Sequence, residues 1–194
     1  MIDKNVLAYV IGIAIGDGNL SNPNGRAIRL RVTCDTKYKN IISEIIASIK
    51  ILVPKNKVSI VHREKNYIDI SCYSNKWEKW LGWKVGYGPK VKQNISIPTW
   101  IKNNKKYSIK CLKGLLETDG SVYLDKNYKM VNFTTVIPKL AKDIINIIIK
   151  LNFYPHLYTI KDSRPNRKTK YIIRLSKNVT EFLNLIKPLK DIKI

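Results

Sequence analysis

Acidic residues and histidines are scarce in this sequence of 194 residues. Only 14 aspartates and glutamates face 36 lysines and arginines, which gives a formal net charge of +22 at pH 7. Such a surplus repels itself unless a polyanion neutralises it, so nucleic acid is the first candidate partner and an anionic membrane surface the second. Two histidines and three widely spaced cysteines are a poor fit to a zinc site or a disulfide framework. This usage favours a reducing, intracellular compartment, either cytoplasm or an organellar matrix.

A hydrophobic run long enough to cross a bilayer is also lacking. The longest run, residues 6–16, ends at Asp17 and falls short of the roughly 20 residues that a membrane span needs. A signal peptide is disfavoured because a related segment recurs in mid-chain, where no signal peptide can lie. Apolar residues nevertheless make up 44% of the chain, enough to bury a core, so we expect a globular protein that does not enter a membrane.

The two halves of the sequence resemble each other at a fixed offset. Asp17 and Asp119 are each followed by glycine, and they are 119 − 17 = 102 residues apart. Hydrophobic positions keep the same register over most of each half, which indicates an ancient duplication. The sequence therefore predicts an N-terminal half over residues 1–83 and a C-terminal half over 106–194. A basic connector rich in glycine and proline, residues 84–105, joins them.

Hydrophobic periodicity predicts the same order of elements in both halves. In the first half it predicts helices at 5–17, 37–52 and 74–83, and strands at 26–34, 57–63 and 67–73. In the second half it predicts helices at 107–118, 138–152 and 178–187, and strands at 121–125, 129–135, 154–161 and 169–176.

Asp17 and Asp119 each end an apolar helix, an unfavourable place for a carboxylate. The free carbonyl groups there already carry partial negative charge, so the expected cost is a few tenths to about 1 kcal/mol. A divalent cation would reverse the sign, because carboxylate and carbonyl oxygens are the hard ligands that Mg²⁺ prefers. The alternative is an ordinary Asp-Gly turn, and the recurrence at equivalent points makes the two interpretations about equally good.

Glycines inside the two apolar helices predict that the helices pack closely. Gly12 and Gly114 lie at equivalent points, and glycine costs about 1 kcal/mol in a helix interior unless another backbone must come near. If the helices pack along these faces, Asp17 and Asp119 form a carboxylate pair on a pseudo-twofold axis. Such a pair could hold metal ions for the hydrolysis of a phosphodiester.

The segments VIGIAIGDG (residues 10–18) and LKGLLETDG (residues 112–120) resemble two copies of the LAGLIDADG motif. The sequence is similar to the LAGLIDADG homing endonucleases in their single-chain, two-motif form, although Ile15 stands where the family often has an acid. The resemblance implies an α+β fold of two pseudo-symmetric αββαββα halves, a saddle of two curved antiparallel sheets. It also implies a monomer that makes a metal-dependent double-strand break in a long double-stranded DNA target, as in intron homing.

The same resemblance implies the roles of individual residues. Asp17 and Asp119 would be the catalytic acids that bind divalent metal ions, and the carbonyls of Gly16 and Thr118 would add ligands. The expected cofactor is Mg²⁺, with Mn²⁺ able to replace it and Ca²⁺ supporting binding without cleavage.

Two further predictions concern charged residues near the motifs. The family uses a basic residue after the last helix of a half, and Lys190 fits that context better than Lys84. We expect a structural role for Glu117, because helical geometry turns it away from Asp119.

Polar faces of the predicted strands supply candidate contacts to DNA. Arginine can bind guanine edges and asparagine adenine edges in the major groove, whereas most lysines provide attraction to phosphate without sequence information. The candidates are Arg29, Arg31, Thr33, Asp69, Ser71, Tyr73, Asn132, Thr134 and Arg174. The alternative for each of them is an ordinary solvated strand face.

A non-cleaving function on the same scaffold is the main alternative: an RNA maturase or a DNA-binding regulator. The acid pair discriminates between these functions, because a binder would be free to lose Asp17 and Asp119. Both acids are present, which favours the endonuclease.

Overall fold

The computed structural model describes residues 2–63, 66–161, 164 and 168–190 of the chain. Its first half begins with a helix and two strands, α1 (Lys4–Asp17), β1 (Gly18–Ser21) and β2 (Arg29–Asp35). It continues with α2 (Lys39–Leu52), β3 (Val58–His62), β4 (Tyr67–Tyr73) and α3 (Trp77–Leu81).

The second half repeats this order after a short helix in the connector, α4 (Thr99–Lys102). It contains α5 (Lys105–Glu117), β5 (Gly120–Asp125), β6 (Tyr128–Thr135), α6 (Pro138–Lys150), β7 (His156–Ile160), β8 (Lys170–Leu175) and α7 (Val179–Ile186). The structure describes this half as far as Lys190, so residues 191–194 of the predicted C-terminal half lie outside the described residues.

Each half has one antiparallel sheet of four strands, and the strand order is the same in both. The first sheet runs β1-β2-β4-β3 and the second β5-β6-β8-β7. This confirms the predicted α+β fold of two pseudo-symmetric αββαββα halves. The predicted elements appear with their ends displaced by three residues or fewer, whereas β1 has no counterpart among the strands that periodicity predicts.

The core lies between the sheets and the helices, with α1 at its centre. Residues 7–15 of α1 are all buried, because the helix has neighbours on every side, and its sequence is accordingly apolar around the whole circumference. Asp3 caps its N-terminus by accepting hydrogen bonds from Asn5 and Val6. No helix in the described part of the chain is long and apolar enough to cross a membrane.

The connector is held to the second half by a buried carboxylate on α6. Asp143 accepts a hydrogen bond from the backbone N–H of Ile97 at 2.9 Å and forms an ion pair with Lys102 at 2.8 Å. Upstream, the side-chain amide of Gln93 donates to the carbonyls of Lys84 and Gly88 and accepts from the N–H of Lys84. The connector is thus a folded part of the protein.

Candidate active site

Helices α1 and α5 meet with their backbones in direct contact. A Cβ atom placed on Gly12 would overlap the carbonyl oxygen of Cys111. One placed on Gly114 would lie 2.5 Å from the carbonyl oxygen of Tyr9, closer than real Cβ contacts come. The glycines are therefore there because a side chain would push the helices apart, as the sequence predicts.

This close packing brings the C-terminal ends of the two helices together. Gly16 lies against the side chain of Thr118, and a Cβ on Gly16 would come within 3.5 Å of the Asp119 carboxyl carbon. The side chains of Asp17 and Asp119 are exposed, so water and ions can reach both of them.

The two carboxyl groups share an environment that resists ionisation. Loss of hydration among the surrounding groups raises the pKa of Asp17, and the charges of Lys90 and Lys190 partly offset this. The same loss of hydration, together with the negative charge of Asp17, raises the pKa of Asp119 to about 6. A bound cation would relieve the repulsion between these two carboxylates.

Lys90, on the connector, reaches the end of α1. Its ammonium group donates hydrogen bonds to the carbonyl oxygens of Ala14 at 3.2 Å, Ile15 at 2.6 Å and Gly16 at 2.6 Å. Burial lowers the pKa of Lys90, against the opposing charges of Asp119 and Asp17. The lysine therefore satisfies the free carbonyls at this helix end and lies beside the acid pair.

Lys190 does the same at the end of α5. Its ammonium group donates to the carbonyl oxygens of Thr118 at 3.1 Å and Gly120 at 2.7 Å. Each helix end that carries an acid thus also carries a lysine, and the site has the approximate twofold symmetry of the two halves.

The lysine at the first helix end is one that the predictions from the sequence do not name. Lys84, which fits the family context less well than Lys190, is exposed and lies over the ring of Tyr87, 5.5 Å from its centroid. The internal repeat could have indicated Lys90, because applying the offset of 102 to Lys190 gives 190 − 102 = 88, only two residues before Lys90.

The oxygen atoms at this junction fit a divalent cation. Besides the carboxylates of Asp17 and Asp119, the junction has the carbonyl oxygens of Gly16 and Thr118. These already accept hydrogen bonds from the ammonium groups of Lys90 and Lys190. Among the described residues, no three histidine, cysteine, aspartate or glutamate side chains form a metal-binding group. A cation here would therefore take carboxylate and carbonyl oxygens, a ligand set that suits Mg²⁺ better than zinc.

Glu117 lies in the interior, away from the acid pair. Its side chain is completely buried and accepts hydrogen bonds from the Tyr9 hydroxyl at 2.7 Å and from the Leu189 N–H at 2.8 Å. Burial raises the pKa of Glu117, and these hydrogen bonds oppose the rise. The residue connects α1, α5 and the C-terminal segment, in keeping with the structural role expected for it.

The sheet face that points away from the core carries the predicted DNA contacts of the first half. We call it the open face of the first sheet. Cross-strand pairing places three pairs side by side, Arg29 with Tyr73, Arg31 with Ser71 and Thr33 with Asp69. Their strand neighbours, such as Leu30 and Ile70, are fully buried on the opposite face.

The open face of the second sheet carries the remaining candidates. Asn132 pairs with Arg174, and Thr134 lies on the same face two residues further along β6. The guanidinium of Arg174 lies between two aromatic rings, 5.9 Å from the centroid of Tyr123 and 5.5 Å from that of Tyr158. Asn132 donates a hydrogen bond to the Tyr123 hydroxyl at 3.1 Å.

Asp69 has its hydrogen-bonding partners within the first sheet. Its carboxylate accepts from the Thr33 hydroxyl and from Nε of Arg63, both at 2.7 Å, and lies 3.9 Å from the guanidinium of Arg31. Burial opposes ionisation of Asp69, but the hydrogen bonds from Thr33 and Arg63 outweigh it and lower the pKa. Arg63, the last residue of the strand predicted over 57–63, lies just past the end of β3 and is a polar residue of this face that is missing from the predicted DNA contacts.

A family model and a curated relative match this chain. Residues 106–187 match the family described as LAGLIDADG-like domain. The uncharacterized protein MJ0314 of Methanocaldococcus jannaschii is 25% identical over 163 residues, which cover 81% of this chain and 59% of that protein. The chain thus spans 59% of the length of the curated relative that it matches.

Solved structures extend the similarity to nearly the whole chain. A variant of the homing endonuclease I-DmoI, in complex with its target DNA and with Mg present, has a TM-score of 0.68 at 18% identity and covers 95% of this chain and 96% of that chain. I-DmoI in complex with DNA and Mn has a TM-score of 0.66 at 19% identity, with 94% and 96% covered. The N-terminal LAGLIDADG domain of DUF199/WhiA has a TM-score of 0.63 at 15% identity, with 94% and 82% covered. The chain therefore has the two-motif LAGLIDADG fold.

Proposed function

We propose that this two-motif LAGLIDADG protein is a site-specific endonuclease that makes a metal-dependent double-strand break in a long DNA target, as in intron homing. The observation that carries the proposal is the pairing of Asp17 and Asp119 where α1 and α5 end together. Each acid has a lysine at the same helix end, Lys90 for the first and Lys190 for the second. A binding protein has no need for two repelling carboxylates with raised pKa values at its centre.

Asp17 and Asp119 would hold the divalent cations, with the carbonyls of Gly16 and Thr118 as further ligands. When bound, these ions would supply an activated water and neutralise charge on the scissile phosphates. The protein's contribution is to position the acids: the glycines let the backbones of α1 and α5 pack in direct contact, which holds the two helix ends side by side.

Lys90 and Lys190 would act on the phosphates beside the acid pair. Each ammonium group is held by two or three carbonyl oxygens, so it is already oriented before DNA arrives. A fixed cation near the reacting phosphate stabilises the charge that develops in the transition state and requires little reorganisation. The near-twofold placement provides one lysine for each strand of the duplex.

The remaining surface suits a long duplex. The net charge of +22 supplies attraction to the backbone phosphates, and the two open faces offer side chains to base edges. I-DmoI, with which the chain shares its fold, is solved in complex with its target DNA.

Specific binding without cleavage is the second candidate, as a DNA-binding regulator or an RNA maturase. The observation that favours it is the presence of the same fold in the LAGLIDADG domain of WhiA, because the fold alone does not imply a nuclease.

Selection on a randomised duplex library separates the two candidates. The full chain is incubated with the library and Mg²⁺, and both bound and cut molecules are sequenced. The proposal expects cleavage of both strands at one position of the selected site, abolished by EDTA and by Asp119→Asn. A selected site that stays uncut in Mg²⁺ and in Mn²⁺ would establish the binding protein instead.

A further inference from the structure

The hydrogen-bond register makes the two open faces comparable position by position. Val32 on β2 pairs with Ile70 on β4, and Phe133 on β6 pairs with Ile173 on β8. These pairs are equivalent because β1 begins opposite Val32 and β5 begins opposite Phe133. Every residue of the first open face therefore has a defined counterpart on the second.

At three equivalent positions a charged residue of the first sheet is replaced by an apolar residue in the second. Arg29 of the first sheet corresponds to Met130 of the second, Arg63 to Ile160, and Asp69 to Ile172. Charge is gained in the second sheet at two positions along β4 and β8, where Tyr67 corresponds to Lys170 and Ser71 to Arg174. A duplicated scaffold thus presents two chemically different surfaces.

The first open face is built to offer hydrogen bonds. Asp69 holds the guanidinium of Arg63 and lies near that of Arg31, and the two arginine side chains remain 43% and 36% exposed. The Nε of Arg29 is bound to the hydroxyl of Ser21 at 3.1 Å. Arginines fixed in this way through one side of the guanidinium present the other to guanine O6 and N7.

The second open face carries Arg174 and Asn132 but offers apolar contact at the positions equivalent to Arg63, Asp69 and Arg29. Ile160 and Tyr158 on β7 are 50% and 49% exposed, and Ile172 and Met130 are half-buried on the same face. Ile160, Ile172 and Met130 have no hydrogen-bond donor for base edges, but they can contact the C5-methyl group of thymine, which lies in the major groove.

We propose that the two halves read their half-sites by different chemistry, the first mainly through hydrogen bonds to guanine edges and the second mainly through apolar contact with thymine methyl groups. This inference rests on the proposed DNA-binding function. The occupant of the second face is a DNA major groove because that face adjoins the acid pair: Lys170 and Thr134, on the strands of that face, line a cavity together with Asp119. The asymmetry implies a target whose two halves differ in composition.

Atomic replacements in the DNA test this directly. A duplex is selected from a randomised library by the full chain in Ca²⁺. Each thymine is then replaced in turn by deoxyuridine, which lacks only the methyl group, and each guanine by 7-deazaguanine, which lacks N7. We expect deoxyuridine to weaken binding about 4-fold at each contacted thymine, the fold-change that about 0.8 kcal/mol per buried carbon corresponds to. These losses should concentrate in one half-site and most of the 7-deazaguanine losses in the other.

Matched variants assign the half-sites to the sheets. Ile172→Ala should remove the deoxyuridine penalty at the thymine that Ile172 contacts and leave the 7-deazaguanine penalties, whereas Arg31→Ala should remove the 7-deazaguanine penalty at one guanine and leave the deoxyuridine penalties, as in a double-mutant cycle between protein and DNA. The scan of the unmodified protein needs no variant, so a variant that fails to fold does not prevent the test.

The outcomes separate this inference from the proposed function. Equal deoxyuridine penalties in both half-sites, or penalties that all survive Ile172→Ala, would overturn the inference while DNA cleavage stood. Failure to select any duplex would overturn both.

Discussion

The buried carboxylate of Glu117 accepts a hydrogen bond from the backbone N–H of Leu189, 2.8 Å away. Leu189 directly precedes Lys190, whose ammonium group lies on the carbonyl of Thr118, the residue after Glu117. The last residue of α5 thus holds the C-terminal segment at the point where its lysine enters the site.

Replacing Glu117 by alanine should lower both stability and activity. The change leaves the Leu189 N–H and the Tyr9 hydroxyl without their acceptor, which costs about 1–3 kcal/mol for a buried polar group, and it releases Lys190 from the helix end. Urea denaturation and cleavage rates measure the two effects. Tyr9→Phe is the matched control, because it removes one hydrogen bond to Glu117 but leaves the bond to Leu189. If both variants lose activity equally, the hydrogen bond from Leu189 to Glu117 is not what holds Lys190 in the site.

Asp17→Asn and Asp119→Asn should each abolish double-strand cleavage and leave specific DNA binding nearly intact. Asparagine keeps the size of the side chain but lacks the charge that would hold a cation. It also relieves repulsion between two acids at helix C-termini, so in EDTA each variant should melt at the temperature of the unmodified protein or higher. Thermal melts, gel shifts and cleavage assays measure the three properties. Loss of binding together with stability would show instead that the aspartates merely cap turns.

Removing the ammonium group of Lys90 or of Lys190 should slow cleavage without changing the fold. Lys90→Met and Lys190→Met keep the length of the side chain but remove a fixed positive charge beside the reacting phosphates, and losses of about 10²-fold or more are typical of such groups. The control is Lys84→Met, since Lys84 lies over Tyr87. A nicking assay on supercoiled plasmid follows the two strands separately. The assignment of Lys90 fails if Lys84→Met is as slow as Lys90→Met.

Stability should fall as the pH rises through the titration of Asp119. Its pKa in the folded protein is raised from 3.8 to about 6, so between these values the folded state binds a proton that the unfolded state has lost. The free energy of unfolding therefore decreases with rising pH over this window and is lowest above pH 6. In EDTA, the stability advantage of Asp119→Asn should appear between pH 4 and pH 6 and then level off. An advantage that does not change with pH would contradict the raised pKa.

Gly12→Ala should destabilise the protein although alanine is the better helix former. A Cβ atom at this position overlaps the carbonyl oxygen of Cys111, and overpacking of this kind typically costs about 1–3 kcal/mol. In an exposed helix the same change would stabilise by about 1 kcal/mol. The midpoint of urea denaturation decides the sign, with Ser43→Ala on the exposed side of α2 as a control expected to be nearly neutral. A stabilised Gly12→Ala would mean that the helices can separate at no cost.

The acid pair could be predicted from the sequence because its signal is local and occurs twice. An apolar helix ended by Asp-Gly is visible without a structure, and its repetition 102 residues later (119 − 17 = 102) indicates that the two ends are related. Lys90 could not be found in this way, since it lies in a connector without periodicity in a chain full of lysine. Strand β1 was hidden because Leu20 is its only large apolar residue. The bond between Arg63 and Asp69 depends on strand register, which periodicity alone does not fix.

The position of Lys90 bears on how such a chain could have arisen. The first acid and its lysine are 90 − 17 = 73 residues apart, and the second acid and its lysine 190 − 119 = 71. Each stretch from motif helix to lysine is therefore a unit of about half the chain with its own acid and its own lysine, and the connector begins as the tail of the first unit. Two separate copies of one such unit, associated through the glycine faces of their helices, would already contain both acids and both lysines. A symmetric homodimer of one such unit would thus have a complete site, and fusion of the two copies would let each half change its proposed DNA contacts independently.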